Sequence, residues 1–282
     1  MLTGITVGLL LATGQSPQTD TTIAVDRGAR LEISRLGGDV TVATWERNAV
    51  RVRAEHSSTH QVEVRVTSGV VTVAARGRRG RSVAMVDYTL TVPVWMDLRL
   101  SATYGDVMIT GTEGRVTVET VEGDVTLQGG RGVVSLQSVE GEIALSGATG
   151  EIDITSVDGD VRAHDLDGRV TAETVDGDII LRGVRSGDVT ATTVDGSIEY
   201  EGTLRADGRY RFVTHDGDVA LTVPERVNAT VSVATFSGSF EADFPVTLTE
   251  ARRGKRFSFT LGTGGARVEL ESFDGSIRLI RR

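Results

Sequence analysis

Short apolar–polar–apolar triplets recur every nine residues through the middle of the chain. Val116-Thr117-Val118 and Val125-Thr126-Leu127 are two of them. Residues two apart lie on one face of a β-strand, so each triplet predicts a short, half-buried strand. The triplets begin at Val107, Val116, Val125, Val134, Ile143, Ile152, Val161, Val170 and Ile179. No segment shows a dependable helical period, and we therefore expect an all-β protein.

A glycine phrase doubles this spacing to 18 residues. It reads Val-acid-Gly-acid, as at residues 121–124. Its glycines are Gly105, Gly123, Gly141, Gly159 and Gly177, followed by looser copies at Gly196, Gly217 and Gly238 and a last one at Gly275. A fixed period near twenty residues is typical of stacked repeats. We predict coils of 18 residues, each with two short strands and two turns.

Equivalent positions of the repeat hold equivalent residues. Three before the glycine stand Thr120, Ser138, Ser156, Thr174, Thr193, Thr214, Thr235 and Ser272. Two before it stand Val121, Val139, Val157, Val175, Val194, His215, Phe236 and Phe273. These columns favour a parallel β-solenoid, right-handed like most parallel crossovers, over an antiparallel meander of the same spacing. We expect the valines to fill the interior and the hydroxyl groups to bond along the axis of a rod that is ~50 Å long.

The chain divides into four predicted parts. Residues 1–14 are a candidate signal peptide, with an apolar stretch too short to span a bilayer and small residues after it, but no basic residue before it. Residues 15–24 are a predicted linker. Residues 25–100 form an N-terminal β-strand region, and residues 101–282 form the solenoid repeats. Phenylalanines after Gly196 predict a wider terminal section or cap.

The amino-acid composition excludes some classes of function. Glycine accounts for 34 of the 282 residues and proline for four, which indicates many tight turns. The net charge of −9 argues against nucleic acid as a partner. Cysteine is absent, which excludes disulfides and thiolate chemistry.

The repeated Val-Asp-Gly-Asp-Val phrase is accompanied by Tyr88-Thr89-Leu90-Thr91-Val92-Pro93 upstream and by Gly105-Asp106-Val107 after it. Over residues 25–280 the chain resembles the bacterial adhesin-like family catalogued as domain of unknown function 4097, also called the toastrack domain. The resemblance implies an extracytoplasmic β-solenoid with no established catalytic residues. Some relatives are associated with envelope-stress systems.

The acidic turns are the first candidate site. Asp124, Glu142, Asp160 and Asp178 follow successive glycines and would stack if the coils do. Carboxylate oxygens suit calcium, so a weak cation ladder is one interpretation. The other is turn chemistry, in which Asp beside Gly bonds nearby backbone N–H groups.

Two basic loops are the second candidate site. They contain Arg76, Arg78, Arg79 and Arg81, and Arg252, Arg253, Lys255 and Arg256. They are either solvated hairpin tips or contacts for an anionic envelope polymer or lipid headgroup. His56 and His60 are spaced like a helical metal pair, but their surroundings are typical of strands, which favours chance.

These observations favour an exported, non-catalytic β-solenoid that acts as an adhesin-like interaction module of the cell envelope or surface, outside the cytoplasm. Its expected partner is an envelope protein or polysaccharide; its oligomeric state is unspecified, and no transmembrane span or cofactor is predicted. One alternative is an accessory or scaffold of envelope-stress signalling. Another is a carbohydrate-active enzyme, which the short turns disfavour because they leave little wall for a cleft.

Overall fold

The computed structural model of the chain describes residues 18–77, 84–252 and 255–282. Every regular element in these ranges is a β-strand, which confirms the all-β prediction. The N-terminal strands are β1 (Gln18–Ala24), β2 (Arg30–Gly37), β3 (Val40–Trp45), β4 (Ala49–His56), β5 (His60–Thr67), β6 (Val70–Gly77) and β7 (Val86–Pro93). The candidate signal peptide at 1–14 lies outside the described residues.

The central strands are short and regular. They are β8 (Asp97–Tyr104), β9 (Val107–Thr112), β10 (Val116–Glu122), β11 (Val125–Gly129), β12 (Arg131–Glu140), β13 (Ile143–Ser146), β14 (Thr149–Thr155), β15 (Val161–His164), β16 (Asp167–Glu173), β17 (Ile179–Val184), β18 (Asp188–Asp195) and β19 (Ile198–Gly202). The C-terminal strands are β20 (Arg209–Asp216), β21 (Val219–Val223), β22 (Ala229–Thr235), β23 (Phe240–Ala242), β24 (Leu248–Arg252), β25 (Lys255–Leu261), β26 (Ala266–Asp274) and β27 (Ile277–Arg281).

The central strands alternate between two sheets, one of 14 strands and one of 13. From β8 to β21 the even-numbered strands lie in the 14-stranded sheet and the odd-numbered strands in the other. Strands of successive coils pair in parallel: Val116 lies beside Val134, and Val125 beside Ile143. The register advances by one repeat per coil, so the predicted parallel solenoid is confirmed.

Side chains alternate between the interior and the surface along β10, and this corrects one prediction. Val116, Val118 and Thr120 of β10 are buried, whereas Val121 is 44% exposed. The valine two before the glycine therefore does not fill the interior. Period-two geometry is the reason: Thr120 shares the face of Val118, so Val121 points outward.

The buried hydroxyl groups bond along the axis, as predicted, and their acceptors are glycine carbonyls. Thr214 donates to the carbonyl of Gly196 in the preceding coil at 2.8 Å. Thr174, Thr193 and Ser272 make the same contact one coil away. Among the described residues, the Oγ atoms of Ser138 and Ser156 have no hydrogen-bond partner. The column thus joins successive corners in some coils only.

The corner glycines allow the coils to approach closely. Gly159 has φ of +153°, and a Cβ there would lie 2.2 Å from the carbonyl oxygen of Gly141. Its neighbours in the column show the same close approach. Any side chain at this position would therefore separate two coils as well as strain the backbone.

The coils are not stacked in chain order at either end. β26 and β27 lie between the coil of β20 and β21 and that of β22 and β23. The copy at Gly275 is thus an internal coil, although it comes last in the sequence. At the other end β2 lies between β6 and β8 in one sheet, and β3 lies between β7 and β9 in the other. Residues 25–100 therefore continue the same two sheets.

Antiparallel strands close both ends of the 14-stranded sheet and the N-terminal end of the 13-stranded sheet, whereas β23 at its other end pairs in parallel with β27. β1 pairs with β4 and β4 with β7, while β5 pairs with β6. At the far end β25 pairs with β22 and β24. Residues 18–24 of the predicted linker are therefore strand β1, because its backbone pairs with β4. Arg51 donates to both carboxylate oxygens of Asp20, at 2.9 and 2.6 Å, and holds the pKa of that carboxyl below its usual range.

Candidate binding face

A row of exposed apolar side chains runs along the corner between the two sheets. It occupies the position two before each glycine, and its exposed fraction ranges from 43% at Val139 to 70% at Phe236. We call this row the corner ridge; in spatial order it consists of Val121, Val139, Val157, Val175, Val194, His215, Phe273 and Phe236.

Backbone hydrogen bonds hold the ridge in register. The N–H of Asp158 donates to the carbonyl of Val139 at 2.8 Å, and that of Asp176 to Val157 at 2.9 Å. The N–H of Asp195 donates likewise to Val175 at 2.8 Å. The valines of neighbouring coils consequently stack at the strand spacing of ~4.8 Å.

Three rings continue the ridge toward the C-terminal cap. The imidazole of His215 stacks on Phe273, with centroids 4.8 Å apart and planes 12° apart. Phe273 in turn stacks on Phe236 at 4.7 Å and 6°. The eight positions together form one apolar line roughly 34 Å long.

The residue between ridge and glycine is acidic in seven coils. We call these residues the outer acid row: Glu122, Glu140, Asp158, Asp176, Asp195, Asp216 and Asp274. All are exposed. In the part of the chain that the structure describes, no carboxylate of this row forms an ion pair or accepts a side-chain hydrogen bond.

The acids after the glycine behave differently. Oδ1 of Asp106 accepts the backbone N–H of Asp124 at 2.9 Å, and Oδ1 of Asp124 accepts that of Glu142 at 2.8 Å. Asp160 and Asp178 repeat this contact to Asp178 and Ser197. Turn chemistry therefore accounts for these carboxylates.

The predicted cation ladder falls on this second acid row. Arg162 donates to the Oδ2 of Asp160 at 2.7 Å and pairs with Glu142, and these contacts raise its own pKa. A fixed guanidinium thus already neutralises charge in the middle of the row. Within the described ranges no group of three or more His, Asp or Glu side chains is placed to hold a metal ion. Calcium binding at Asp124, Glu142, Asp160 and Asp178 stays a prediction.

The strands that flank the two basic loops lie at opposite ends of the 14-stranded sheet, β5 and β6 at one end and β24 and β25 at the other. Arg76 pairs with Glu63 at 3.2 Å, and Arg256 with Glu271 at 3.5 Å. Arg78, Arg79, Arg81 and Arg253 lie outside the described residues, as do the side chains of Arg252 and Lys255. Anion contact by either loop stays a prediction.

The two close histidines have separate partners. Nε2 of His56 lies 3.0 Å from the hydroxyl of Thr19, and Nδ1 of His60 lies 2.7 Å from that of Ser57. Hydrogen bonds to hydroxyl groups account for both rings.

A cavity of about 330 Å³ lies at the opposite corner of the coils, near β19 and β21. Its lining includes Val184, Thr203 and Pro224, together with the ion pair of Arg282 and Glu201. The guanidinium and carboxylate of this pair bind each other, and Asp165 and Arg185 are the other charged residues of the lining.

Sequence reasoning missed the corner ridge, although the signal was present. It placed the apolar column in the interior because of its composition. Counting in twos from the triplet, from Val118 to Thr120, would have placed the hydroxyl groups inside and the valines outside.

A rod of parallel coils with glycine corners defines the class of the protein as a β-solenoid. The model of the toastrack DUF4097 family matches residues 9–201 and 168–279, and the chain belongs to this family. No curated protein matches the chain. Within the described ranges, no helix is long and apolar enough to cross a membrane.

Solved structures of similar shape include candidate adhesins from three bacteria. One from Parabacteroides distasonis is 11% identical, with 94% of this chain and 97% of that one covered and a TM-score of 0.41. One from Bacteroides fragilis is 12% identical, with 93% of this chain and 96% of that one covered and a TM-score of 0.38. One from Parabacteroides merdae is 11% identical, with 95% and 97% covered and a TM-score of 0.35.

Proposed function

We propose that this toastrack protein is an extracytoplasmic, non-catalytic β-solenoid that binds another component of the cell envelope through the corner ridge. The observation that supports this proposal is the ridge itself: seven exposed apolar side chains and one exposed histidine, aligned beside carboxylates that form no ion pair among the described residues. The largest contiguous apolar patch on the surface of a soluble protein is often a functional one.

The rod supports this role through its rigidity. Each ridge residue lies in or just after a strand bonded to its neighbours on both sides, and the buried hydroxyl groups of Thr193 and Thr214 donate to the glycine corner of the preceding coil. A preformed line of contacts loses little entropy when a partner binds. A rigid display of repeated side chains is therefore well suited to binding, whereas catalysis needs convergent groups in a cleft.

The function is tested by capture from the native envelope. Purified protein is compared with the triple variant Val139→Thr, Val157→Thr and Val175→Thr, which keeps β-branched side chains on the strands while adding a hydroxyl group to each. The matched control is Met108→Thr with Ile280→Thr, which changes apolar residues exposed elsewhere, by 50% and 39%. We expect capture to fall at least tenfold for the ridge variant alone. Equal capture by all three proteins would overturn the proposal.

A further inference from the structure

We propose that the partner of the corner ridge is a protein that offers a basic amphipathic helix, with one apolar residue per turn flanked by Lys or Arg. This inference rests on the proposed function and specifies its partner. It is carried by the charge beside the ridge and by the spacing of the ridge residues.

Carboxylates border the ridge along the whole of one side and at two positions of the other. The outer acid row lies on the glycine side. The other side holds the outward residues two before each ridge valine, which are Glu119, Gln137, Thr155, Glu173 and Thr192, and Arg99 pairs with Glu119 at 3.4 Å. From the coil of Val121 to that of Val194, these three columns contain no Lys or Arg. Stacked like charges repel one another, and a partner with cations on both flanks would relieve this repulsion.

The spacing of the ridge favours a helix over a strand. Successive ridge residues are ~4.8 Å apart, whereas a helix presents one residue per turn every ~5.4 Å. Over five valines the mismatch adds up to only ~2.4 Å. An extended strand presents residues of one face every ~6.7 Å, which places it out of register after two coils. A helix of about 18 residues has five turns, one for each of the five valines.

The same charges disfavour two other occupants. In a second copy of this chain, the acidic borders of one ridge would face those of the other. An anionic lipid surface would likewise meet carboxylates and be repelled. A cationic polypeptide is the occupant that the borders of the ridge complement.

The test measures binding of a fluorescent 18-residue helical peptide with Leu once per turn and Lys on both flanks. Its controls are a scrambled peptide of the same composition and a version with Glu in place of Lys. We expect the wild-type protein to bind the first peptide at least tenfold more tightly than either control. Added salt should weaken the binding.

Protein variants separate the contribution of the apolar ridge to peptide binding from that of the outer acid row. The ridge variant Val139→Thr, Val157→Thr and Val175→Thr should lose at least tenfold in affinity, and its Met108→Thr, Ile280→Thr control should not. Glu140→Gln with Asp158→Asn and Asp176→Asn should weaken binding and reduce its salt dependence. The matched charge control is Glu151→Gln with Glu225→Gln and Glu241→Gln, which are exposed acids away from the ridge. That control should bind like the wild type.

Each contrary outcome has its own meaning. Equal binding of all three peptides overturns the helix proposal, and so does binding that the acid-row variant leaves unchanged. Binding to vesicles with 30% anionic lipid in place of the peptide, or ridge-dependent self-association, assigns the ridge to another occupant. If envelope capture still requires the ridge while the basic peptide fails, the proposed function stands and this inference fails.

Discussion

The ring of Phe273 lies flat on that of Phe236, with centroids 4.7 Å apart, although the two residues belong to coils that are out of chain order. Phe273 lies one residue before the end of β26, and Phe236 follows β22, while the register places Ser272 beside Thr235. Because β26 also pairs with β20, Phe273 is stacked on both sides, by His215 and by Phe236. The stack follows the order of the coils that the backbone pairing of β26 with β20 and β22 sets.

Removing the middle ring should cost more than removing the outer one. Stacked aromatic pairs contribute about 0.5–1.5 kcal/mol each beyond burial. We expect Phe273→Ala to lower the free energy of unfolding by ~2 kcal/mol and Phe236→Ala by ~1 kcal/mol. Urea unfolding followed by circular dichroism measures both. Equal losses would show that the second ring contact contributes nothing.

A methyl group at a corner glycine should be strongly destabilising. The Cβ of Gly159→Ala would meet the carbonyl oxygen of Gly141 at 2.2 Å, so the coils must move apart. We expect a loss of roughly 3 kcal/mol or more in the free energy of unfolding.

The control for that variant is Gly147→Ala. Gly147 also has positive φ, +69°, but a Cβ there has no atom within 4 Å. Its expected cost is about 1–2 kcal/mol, from the left-handed backbone alone. If the two variants unfold at the same urea concentration, close packing of the corners is not what requires glycine.

Two buried hydroxyl groups of one column should respond differently to deletion. Thr214 donates to the carbonyl of Gly196, so Thr214→Val should cost about 1–2 kcal/mol. The Oγ of Ser156 has no partner among the described residues, and Ser156→Ala should change stability by less than ~0.5 kcal/mol. Thermal melts of both variants check this difference. A large loss for Ser156→Ala would reveal a hydrogen bond to that hydroxyl.

Alkaline pH should destabilise the rod through buried tyrosine. Burial raises the pKa of Tyr88 to about 12, from an ordinary value of 10.0. The unfolded chain loses this proton first, so the stabilising contribution is intact below pH 10 and is lost as the pH rises toward about 12. Burial also raises the pKa of Tyr200 and Tyr210, which adds to the same loss.

Tyr88→Phe should therefore reduce the loss of stability between pH 10 and 12. Denaturant midpoints measured across that range check the effect. The control Tyr104→Phe changes a ring that is 43% exposed and should leave the profile as it is. Identical profiles for the two variants would contradict the assignment to Tyr88.

Calcium should have little effect at the second acid row. The Oδ1 of Asp160 accepts a backbone N–H and its Oδ2 accepts Arg162, which leaves weak ligands for a cation. We expect millimolar calcium to leave the melting temperature unchanged relative to chelator. A stabilisation that Asp160→Asn abolishes would restore the cation ladder.

The sequence predicts the central coils well because each coil is determined by residues close together in the chain, and the same residues recur in every coil. The triplets at Val116 and Val125 fix both strands of a coil, and the glycine between them fixes the corner. The two ends depend on long-range pairing, which one sequence does not encode visibly. Nothing near Ser272 in the sequence indicates that its strand lies between β20 and β22. Counting in twos from Val118 predicts that Val121 points outward. That the ridge and its two neighbouring columns contain no Lys or Arg between the coils of Val121 and Val194 becomes visible only when the coils are stacked.

The position of β26 and β27 has a consequence for biogenesis. As the chain emerges in order, β20 and β21 lack their final partners on one edge until residues 266–281 arrive, since β26 and β27 are those partners. An open edge of a growing sheet is a template for foreign strands. The last coil in the sequence therefore completes both sheets. We expect a protein cut after residue 261 to aggregate through the open edges of β20 and β21, which the full chain covers.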